Sequence, residues 1–158
     1  MNANAKTPSA AAADHGTVLA FDFGTRRIGV AVGNTLVRVA HPLTTIDGEA
    51  GAPRFAAIAA LVAEWAPGAL VVGRPLDGDG SEHAMTAQAE RFARRLEARF
   101  RLPVARVDER FTTRAAATRL GEAGVRGRAR DAALDEVAAQ LILQSWFDQQ
   151  QPGTTTPP

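Results

Sequence analysis

Three acidic positions of this 158-residue chain stand where the neighbouring residues predict burial. They are Asp22 in the run TVLAFDF, the pair Asp108-Glu109 at the end of VARVDE, and Asp135 in LDEVAAQLILQSWF. An ionised carboxylate in such surroundings is costly unless a cation or hydrogen bonds compensate its charge. Carboxylate oxygens are preferred ligands of Mg²⁺ and Mn²⁺, and two such ions can together hydrolyse a phosphodiester. These residues therefore indicate metal-dependent phosphodiester hydrolysis as a candidate chemistry.

The residues around Asp22 leave two interpretations open. As a metal ligand, Asp22 would lie at the mouth of a sheet, where a cation would balance its charge. As an ordinary strand-end carboxylate, it would accept hydrogen bonds from the following turn, Gly24-Thr25-Arg26-Arg27. The apolar neighbours on both sides of Asp22 favour the metal ligand slightly.

Only one residue of the Asp108-Glu109 pair can share a site with Asp22, because adjacent strand residues point to opposite faces of a sheet. The spacing alone does not decide which of the two it is. An ion pair between Glu109 and either Arg106 or Arg110, in a solvated turn, explains Glu109 about as well as a metal site does.

Helical periodicity predicts the direction of Asp135. At about 100° per residue the apolar residues of the last predicted helix form one arc, and Asp135 falls on it between Ile142 and Trp146. Glu136 falls on the opposite, polar side. A helix-start carboxylate favoured by the helix dipole is the alternative, but Asp131 suits that role better as the N-cap. We therefore expect Asp135 to face the protein and to belong to a site.

Other catalytic chemistries find little support in the sequence. There is no cysteine, which excludes disulfides, cysteine-ligated zinc and thiol catalysis. The histidines are scattered, at positions 15, 41 and 83, and no Walker-type phosphate loop is present. Carboxylates are thus the donor set that the chain offers to a metal ion.

The net charge of +1 argues at first against a nucleic-acid partner, yet it results from a cancellation. Residues 86–130 hold twelve arginines against five acids, a net +7, and the rest of the chain is net −6. Arginines next to an acidic metal site suit the binding of a phosphate backbone. For Arg94 and Arg95 a solvated helix face is favoured instead. The better candidates flank the acids: Arg110, Arg114, Arg126, Arg128 and Arg130.

The elements that must position these residues follow from periodicity and from glycine and proline breakers. Three strands in succession predict an antiparallel meander, and later strands alternate with helices. This order gives an α/β protein with a mixed five-stranded sheet and helices on both faces, which is the order of the ribonuclease-H-like fold. The predicted elements are strands 17–23, 28–33 and 36–46, helix 55–65, strand 69–73, helix 85–100, strand 104–107, and helices 112–122 and 131–148.

The two ends of the chain differ in composition from its middle. Residues 1–16 and 149–158 are polar or of low complexity, and both are expected to be disordered extensions of a nuclease domain at 17–148. No run approaches the ~18–20 apolar residues of a membrane span, and the N-terminus lacks the apolar core of a signal peptide. We expect a cytoplasmic protein with no membrane partner.

Four segments together resemble the YqgF family, also called RuvX, of pre-16S rRNA nucleases that are similar to Holliday-junction resolvases. They are FDFGTRRIGVAVG, VVGRPLDGDGSE, VDERFTT and LDEVAAQLILQSWF, in family order over about residues 18–147. The resemblance implies a ribonuclease-H-like fold and phosphodiester hydrolysis that depends on Mg²⁺ or Mn²⁺. It also implies a role in ribosome biogenesis, the maturation of the 5′ end of 16S rRNA.

The resemblance further implies site residues. Asp22, Glu109 and Asp135 match the catalytic, metal-binding acids of the family, and the match settles Glu109 over Asp108.

The cationic positions of the motifs depart from the family pattern. Arg26 stands where relatives often have lysine, and Arg74 replaces a usually apolar residue. The lysine often found just before the last aspartate is missing, and Arg130 is the nearest cation. These departures concern phosphate contacts, for which we expect Arg26, Arg110, Arg114 and Arg130.

Several functions stay open at this point. The substrate is structured RNA, above all pre-16S rRNA, or branched DNA such as a Holliday junction. A nucleic-acid-binding module without catalysis is a further alternative. FDFGT also resembles the phosphate-binding turn of sugar kinases and actin-like ATPases, but those enzymes need two such domains and this chain has room for one. The oligomeric state, a monomer or a homodimer, stays open too.

Overall fold

A computed structural model of the chain describes residues 16–48, 52–76, 79–109 and 127–150, which form five strands and three helices. The helices are α1 (Ala52–Trp65), α2 (Ala84–Phe100) and α3 (Gly127–Gln149). The strands are β1 (Thr17–Phe23), β2 (Arg27–Asn34), β3 (Ala40–Asp47), β4 (Ala69–Arg74) and β5 (Val104–Asp108).

The strands form one mixed sheet in the order β3-β2-β1-β4-β5. β2 pairs antiparallel with β1 and with β3, whereas β4 pairs parallel with β1 and with β5. The carboxyl ends of the three parallel strands therefore meet at one edge. The start of β2 reaches the same edge, because Asp22 is opposite Gly29 in the β1–β2 ladder.

Helices cover both faces of this sheet, which confirms the predicted ribonuclease-H-like, α/β class. Leu19 and Phe21 of β1 belong to a core that includes residues of α1 and α2. Val18 and Ala20, which point the other way, belong to a second core with residues of α3. Because side chains alternate along a strand, the odd-numbered residues of β1 face α1 and α2, and the even-numbered residues face α3.

Two glycines of β2 let α3 approach the sheet closely. A Cβ atom at Gly29 would overlap the backbone carbonyl of Asp135, and one at Gly33 would overlap the ring of Phe147. Both glycines are buried. Any side chain at Gly29 would push away the part of α3 that carries Asp135.

Two predicted boundaries differ from the structure by four residues, and α1 begins three residues before its predicted start. β3 begins at Ala40 rather than at residue 36, because 35–37 form a turn and Arg38 has a positive φ of 61°. α3 begins at Gly127, so Asp131 lies inside the helix and is not its N-cap. Residues 128–130, Arg-Ala-Arg, are good helix formers. They extend the helix from Asp131, its predicted start, back to Gly127.

Two kinds of predicted segment, the helix 112–122 and the terminal extensions, fall largely outside the described residues. The predicted helix 112–122 does so entirely, and so do the extensions except for Gly16, Gln149 and Gln150. Gln149 ends α3 instead of opening the tail. In the part of the chain that the structure describes, no helix is long and apolar enough to cross a membrane.

Candidate active site

Strand alternation brings Asp22 and Glu109 together. Asp22 follows Val18 and Ala20 on the face of β1 that packs against α3. Glu109 lies two residues beyond Val107, which packs on that same face. The two carboxyl groups, from β1 and from the end of β5, are hydrogen-bonded to each other. Two of the three predicted acids thus meet across the intervening strand β4.

The backbone around Glu109 leaves room for this approach. The Glu109 amide donates to the carbonyl of Arg74 at 3.2 Å, which extends the β4–β5 ladder by one residue. Gly73 of β4 lies beneath the Glu109 side chain, and a Cβ at that position would overlap Glu109 Oε2. Asp108 is exposed. The geometry therefore brings Glu109, and not Asp108, to Asp22.

The pKa values of Asp22 and Glu109 are both raised. Burial is the main cause that raises the pKa of Glu109 to about 9, followed by the charge of Asp22 and the hydrogen bond to it. Burial also raises the pKa of Asp22 to about 7; the hydrogen bond from Glu109 opposes this rise and the charge of Asp135 adds to it. Near neutral pH the pair consequently retains a proton, which Glu109 donates to Asp22.

Asp135 lies beside this pair on α3, on the protein side of the helix as its periodicity predicts. Its Oδ2 accepts a hydrogen bond from Arg27 Nε at 2.5 Å, and its side chain is 18% exposed. The prediction that Glu136 faces water was wrong, since Glu136 Oε2 accepts a hydrogen bond from Thr45 Oγ1 at 3.2 Å. The reason is that α3 packs against β3 as well as β2, so both sides of the helix meet protein.

Asp22, Glu109 and Asp135 are not arranged as the ligands of one metal ion. Among residues 16–48, 52–76, 79–109 and 127–150, no three histidine, cysteine, aspartate or glutamate side chains are grouped so that they could hold a metal ion. Two of the three acids share a hydrogen bond, and the third is bound by Arg27. The charge at this edge is thus compensated by protons and by an arginine.

The ion pair considered for Glu109 with Arg106 is replaced by a different arrangement. Arg106 donates to Glu90 and to Glu97 of α2, at 2.9 and 2.7 Å. These two glutamates raise the pKa of the Arg106 guanidinium above its ordinary value, with Glu97 the larger cause. Arg106 therefore fastens β5 to α2 and is not the ion-pair partner of Glu109; Arg110, the other predicted partner, lies outside the described residues.

The predicted phosphate-binding arginines are only partly described by the structure. Arg26 is exposed in the turn between β1 and β2, and its carbonyl accepts a hydrogen bond from Gly48. Arg130 lies in α3, and nothing is described of its side chain. Arg110 and Arg114 lie outside the described residues.

Two arginines that matter at this edge were missed. Arg27 was placed in the turn, but it opens β2 and binds Asp135. Its alternation with Gly29 and Gly33, on the face that contacts α3, was an available signal. Arg54 is 3% exposed and donates to the carbonyls of Gly24 and Thr25 at 2.6 and 3.0 Å. No pattern distinguishes Arg54 from a solvated residue at a helix start.

A ribonuclease-H-like sheet with acids at the C-terminal ends of β1 and β5 and on the adjacent helix is typical of one nuclease class, the phosphodiester hydrolases of this fold. The family model described as "RuvX: Holliday junction resolvase" matches residues 16–149. The chain belongs to this family, and it is a nuclease.

Relatives agree with this assignment over their whole length. A protein of Methylobacillus flagellatus is 55% identical over 141 residues, which cover 89% of this chain and 97% of the relative. One of Chromobacterium violaceum is 57% identical over 137 residues, covering 86% and 98%. Both are named "Putative pre-16S rRNA nuclease".

A solved structure supports the fold alone. The structure described as a Fowlpox virus resolvase with its substrate Holliday junction DNA has a TM-score of 0.50 to this chain. The two are 6% identical, and the match covers 85% of this chain and 98% of the resolvase.

Proposed function

We propose that this protein is a divalent-metal-dependent endonuclease that acts on the precursor of 16S rRNA near its 5′ end. One observation carries the catalytic part of the proposal, the hydrogen-bonded pair of Asp22 and Glu109 at the carboxyl edge of the sheet. Two neighbouring carboxyl groups whose pKa values are both raised, mainly by burial, form a site that favours a cation.

The donor set suits a hard divalent ion. It consists of carboxylates from β1, from the end of β5 and from α3, which matches the oxygen preference of Mg²⁺ and Mn²⁺. Asp22, Glu109 and Asp135 would hold the ion. When bound, it would supply an activated water and charge stabilisation for phosphodiester hydrolysis.

The chain's own residues prepare this site in two ways. Asp22 and Glu109 must release their shared proton before both can act as ligands. Arg27 fixes the Asp135 side chain through a 2.5 Å hydrogen bond and keeps that carboxylate at the edge before any cation arrives. Of the arginines assigned to the phosphate backbone, Arg26 lies in the turn next to the acids, and Arg110, Arg114 and Arg130 join it in the proposal.

The names of the relatives favour rRNA over DNA as the substrate. Proteins 55–57% identical over nearly their full length carry a pre-16S rRNA name. The family description, Holliday junction resolvase, supports branched DNA as the second candidate. A role in rRNA maturation would place the protein in the cytoplasm.

A side-by-side cleavage assay separates these substrates. Wild-type protein is incubated in Mg²⁺ or Mn²⁺ with a 16S rRNA fragment that carries its 5′ extension, and in parallel with a synthetic four-way DNA junction. We expect a discrete cut in the RNA and an intact junction. Resolution of the junction with no cut in the RNA would reverse the assignment.

A further inference from the structure

A pocket lined by three arginines lies on the other face of the sheet, between α1 and α2. Its volume is about 110 Å³, and one water molecule needs about 10–15 Å³, so the pocket has room for a phosphate group. Three phenylalanines form its apolar base, and its polar lining consists of Arg54, Gln88, Arg91 and Arg95. No acid lines it.

The buried arginine of this pocket has no counter-charge among the described residues. Arg54 is 3% exposed, and its hydrogen bonds go to the carbonyls of Gly24 and Thr25. Its guanidinium lies 5.2 Å from the centre of the Phe23 ring. Desolvation lowers the pKa of Arg54. Burial of a cation without an anion is unfavourable, so the site is electrostatically incomplete as it stands.

The other two arginines differ from their neighbours on α2. In the part of the chain that the structure describes, Arg91 and Arg95 make no ion pair, whereas Arg94 pairs with Glu90. Arg95 lies over the Phe55 ring, 5.9 Å from its centre, and both residues line the pocket. The two α2 arginines that line the pocket thus keep their charge, whereas the charge of Arg94, which lies outside it, is compensated by Glu90.

The pocket and the acid pair both lie at the C-terminal end of β1. Phe23 contributes to the pocket and follows Asp22 directly, and successive residues of a strand point to opposite faces. Arg54 also holds the turn that leaves β1, through Gly24 and Thr25. A chain of phosphates that crosses this edge of the sheet would meet the acids on one side and the arginines on the other.

We propose that the pocket of Arg54, Gln88, Arg91 and Arg95 binds a backbone phosphate of the nucleic-acid substrate, one that is not itself cleaved. Guanidinium groups match a phosphate with paired hydrogen bonds, and the Gln88 amide adds a neutral donor. The apolar base strengthens these bonds by excluding water. The inference rests on the proposed function only in requiring a nucleic-acid substrate.

Binding experiments in a cleavage-deficient background test this site without any contribution from catalysis. The Asp22→Asn protein is compared with versions that also carry Arg91→Ala/Arg95→Ala or Arg94→Ala/Arg99→Ala. Both pairs remove two positive charges from α2, but only the first pair lines the pocket. Affinity for the 5′-extended rRNA fragment is measured at several salt concentrations, and circular dichroism verifies folding.

We expect the Arg91→Ala/Arg95→Ala protein to bind the RNA about 10-fold more weakly than the control pair. Its salt dependence should fall by about one unit of slope, as for the loss of one phosphate contact. Equal affinities for the two double variants would overturn the proposal.

Titration with inorganic phosphate distinguishes the two sources of the anion. If wild-type protein binds free phosphate, and the Arg91→Ala/Arg95→Ala change abolishes that binding without altering RNA affinity, the nucleic-acid assignment is wrong. The proposed function can fail separately. A wild-type protein that cuts no RNA in any metal, but whose RNA binding depends on Arg91 and Arg95, retains the pocket and loses the nuclease assignment on rRNA.

Discussion

Asp22 and Glu109 show how a site for a cation is built at the scale of single residues. Both residues are half-buried and each carboxyl group has the other as its neighbour, and both pKa values rise well above those of free acids. Such a pair destabilises the folded chain at neutral pH as long as no cation neutralises it. Thermal unfolding can measure that destabilisation.

The sign of its pH dependence follows from the raised pKa values. The folded state binds more protons than the unfolded state between about pH 4 and 9, so the contribution to stability is present at low pH and is lost as pH rises through about 7 and 9. We expect the metal-free Tm to fall between pH 5.5 and 9. Asp22→Asn should raise the Tm at pH 8, by about 2–4 °C for each kcal/mol of repulsion removed, and should flatten the curve.

Two controls accompany these melting curves. Asp108→Asn removes an exposed acid whose charge is the smallest of the causes that raise the pKa of Glu109, so it should change the curve much less than Asp22→Asn does. Mg²⁺ should raise the Tm of the wild-type protein at pH 8 but not that of Asp22→Asn, because a bound cation stabilises the ionised acids. A Tm of Asp22→Asn at or below wild type at pH 8 without metal contradicts the electrostatic account.

Arg27 acts on the site through Asp135. Arg27→Ala removes the hydrogen bond that fixes the third carboxylate, and such partners of metal ligands are typically worth about 10–100-fold in metal affinity or activity. We expect a loss in that range in cleavage rate and a rise in the Mg²⁺ concentration that gives half-maximal rate. Arg27→Lys, which keeps the charge but not the guanidinium, should restore part of both. Unchanged metal dependence in Arg27→Ala would show that Asp135 needs no such partner.

Sequence reasoning located the acids at this scale better than the arginines. An acid in an apolar strand or on the apolar arc of a helix contradicts its surroundings, so Asp22 and Asp135 were visible. An arginine in a polar stretch contradicts nothing. Arg27 contacts a residue that is 108 positions away in the sequence, and Arg54 contacts residues about 30 positions away. No local pattern encodes such contacts.

At the scale of elements, the close approach of α3 to β2 sets the position of Asp135. Gly29→Ala would place a Cβ against the Asp135 carbonyl and force the helix outward. Overpacking of this kind costs about 1–3 kcal/mol, so urea denaturation should show a stability loss of that size. Cleavage should decrease as well, measured at a temperature where the variant stays folded.

Gly33→Ala is the matched control for this substitution. It overlaps the Phe147 ring on the same helix, near its other end and away from the acids. We expect a comparable loss of stability with near wild-type cleavage when folded. Equal effects of the two substitutions on cleavage would argue that the position of Asp135 is not what the glycine protects.

Element boundaries show where local signals were sufficient. β1 was predicted to the residue because its apolar run is bounded by glycines on both sides. The start of α3 was missed by four residues, because a polar residue that resembles an N-cap does not stop a segment of good helix formers. The side of Glu136 was missed because α3 packs on two strands, and the periodicity of one helix does not show how many strands it covers.

Within the described residues, the two faces of the sheet carry different charged groups near one edge. The acids lie on the α3 side, and an arginine-lined pocket lies on the side of α1 and α2. The net charge of +1 hides this division, since it sums an arginine-rich segment with an acidic remainder. The sequence alone predicts how acidic and basic residues are distributed along the chain. How they are distributed between the two faces of the sheet follows only from the strand order.

The central claim is that Asp22 and Glu109 carry metal-dependent cleavage of RNA. The most direct test measures the cutting of a 5′-extended 16S rRNA fragment in Mg²⁺ or Mn²⁺ by three proteins: wild type, Asp22→Asn and Asp108→Asn. We predict a discrete product from wild type and from Asp108→Asn that EDTA abolishes, and a rate at least about 10³-fold lower for Asp22→Asn with RNA binding retained. Cleavage by Asp22→Asn at the wild-type rate would contradict the account.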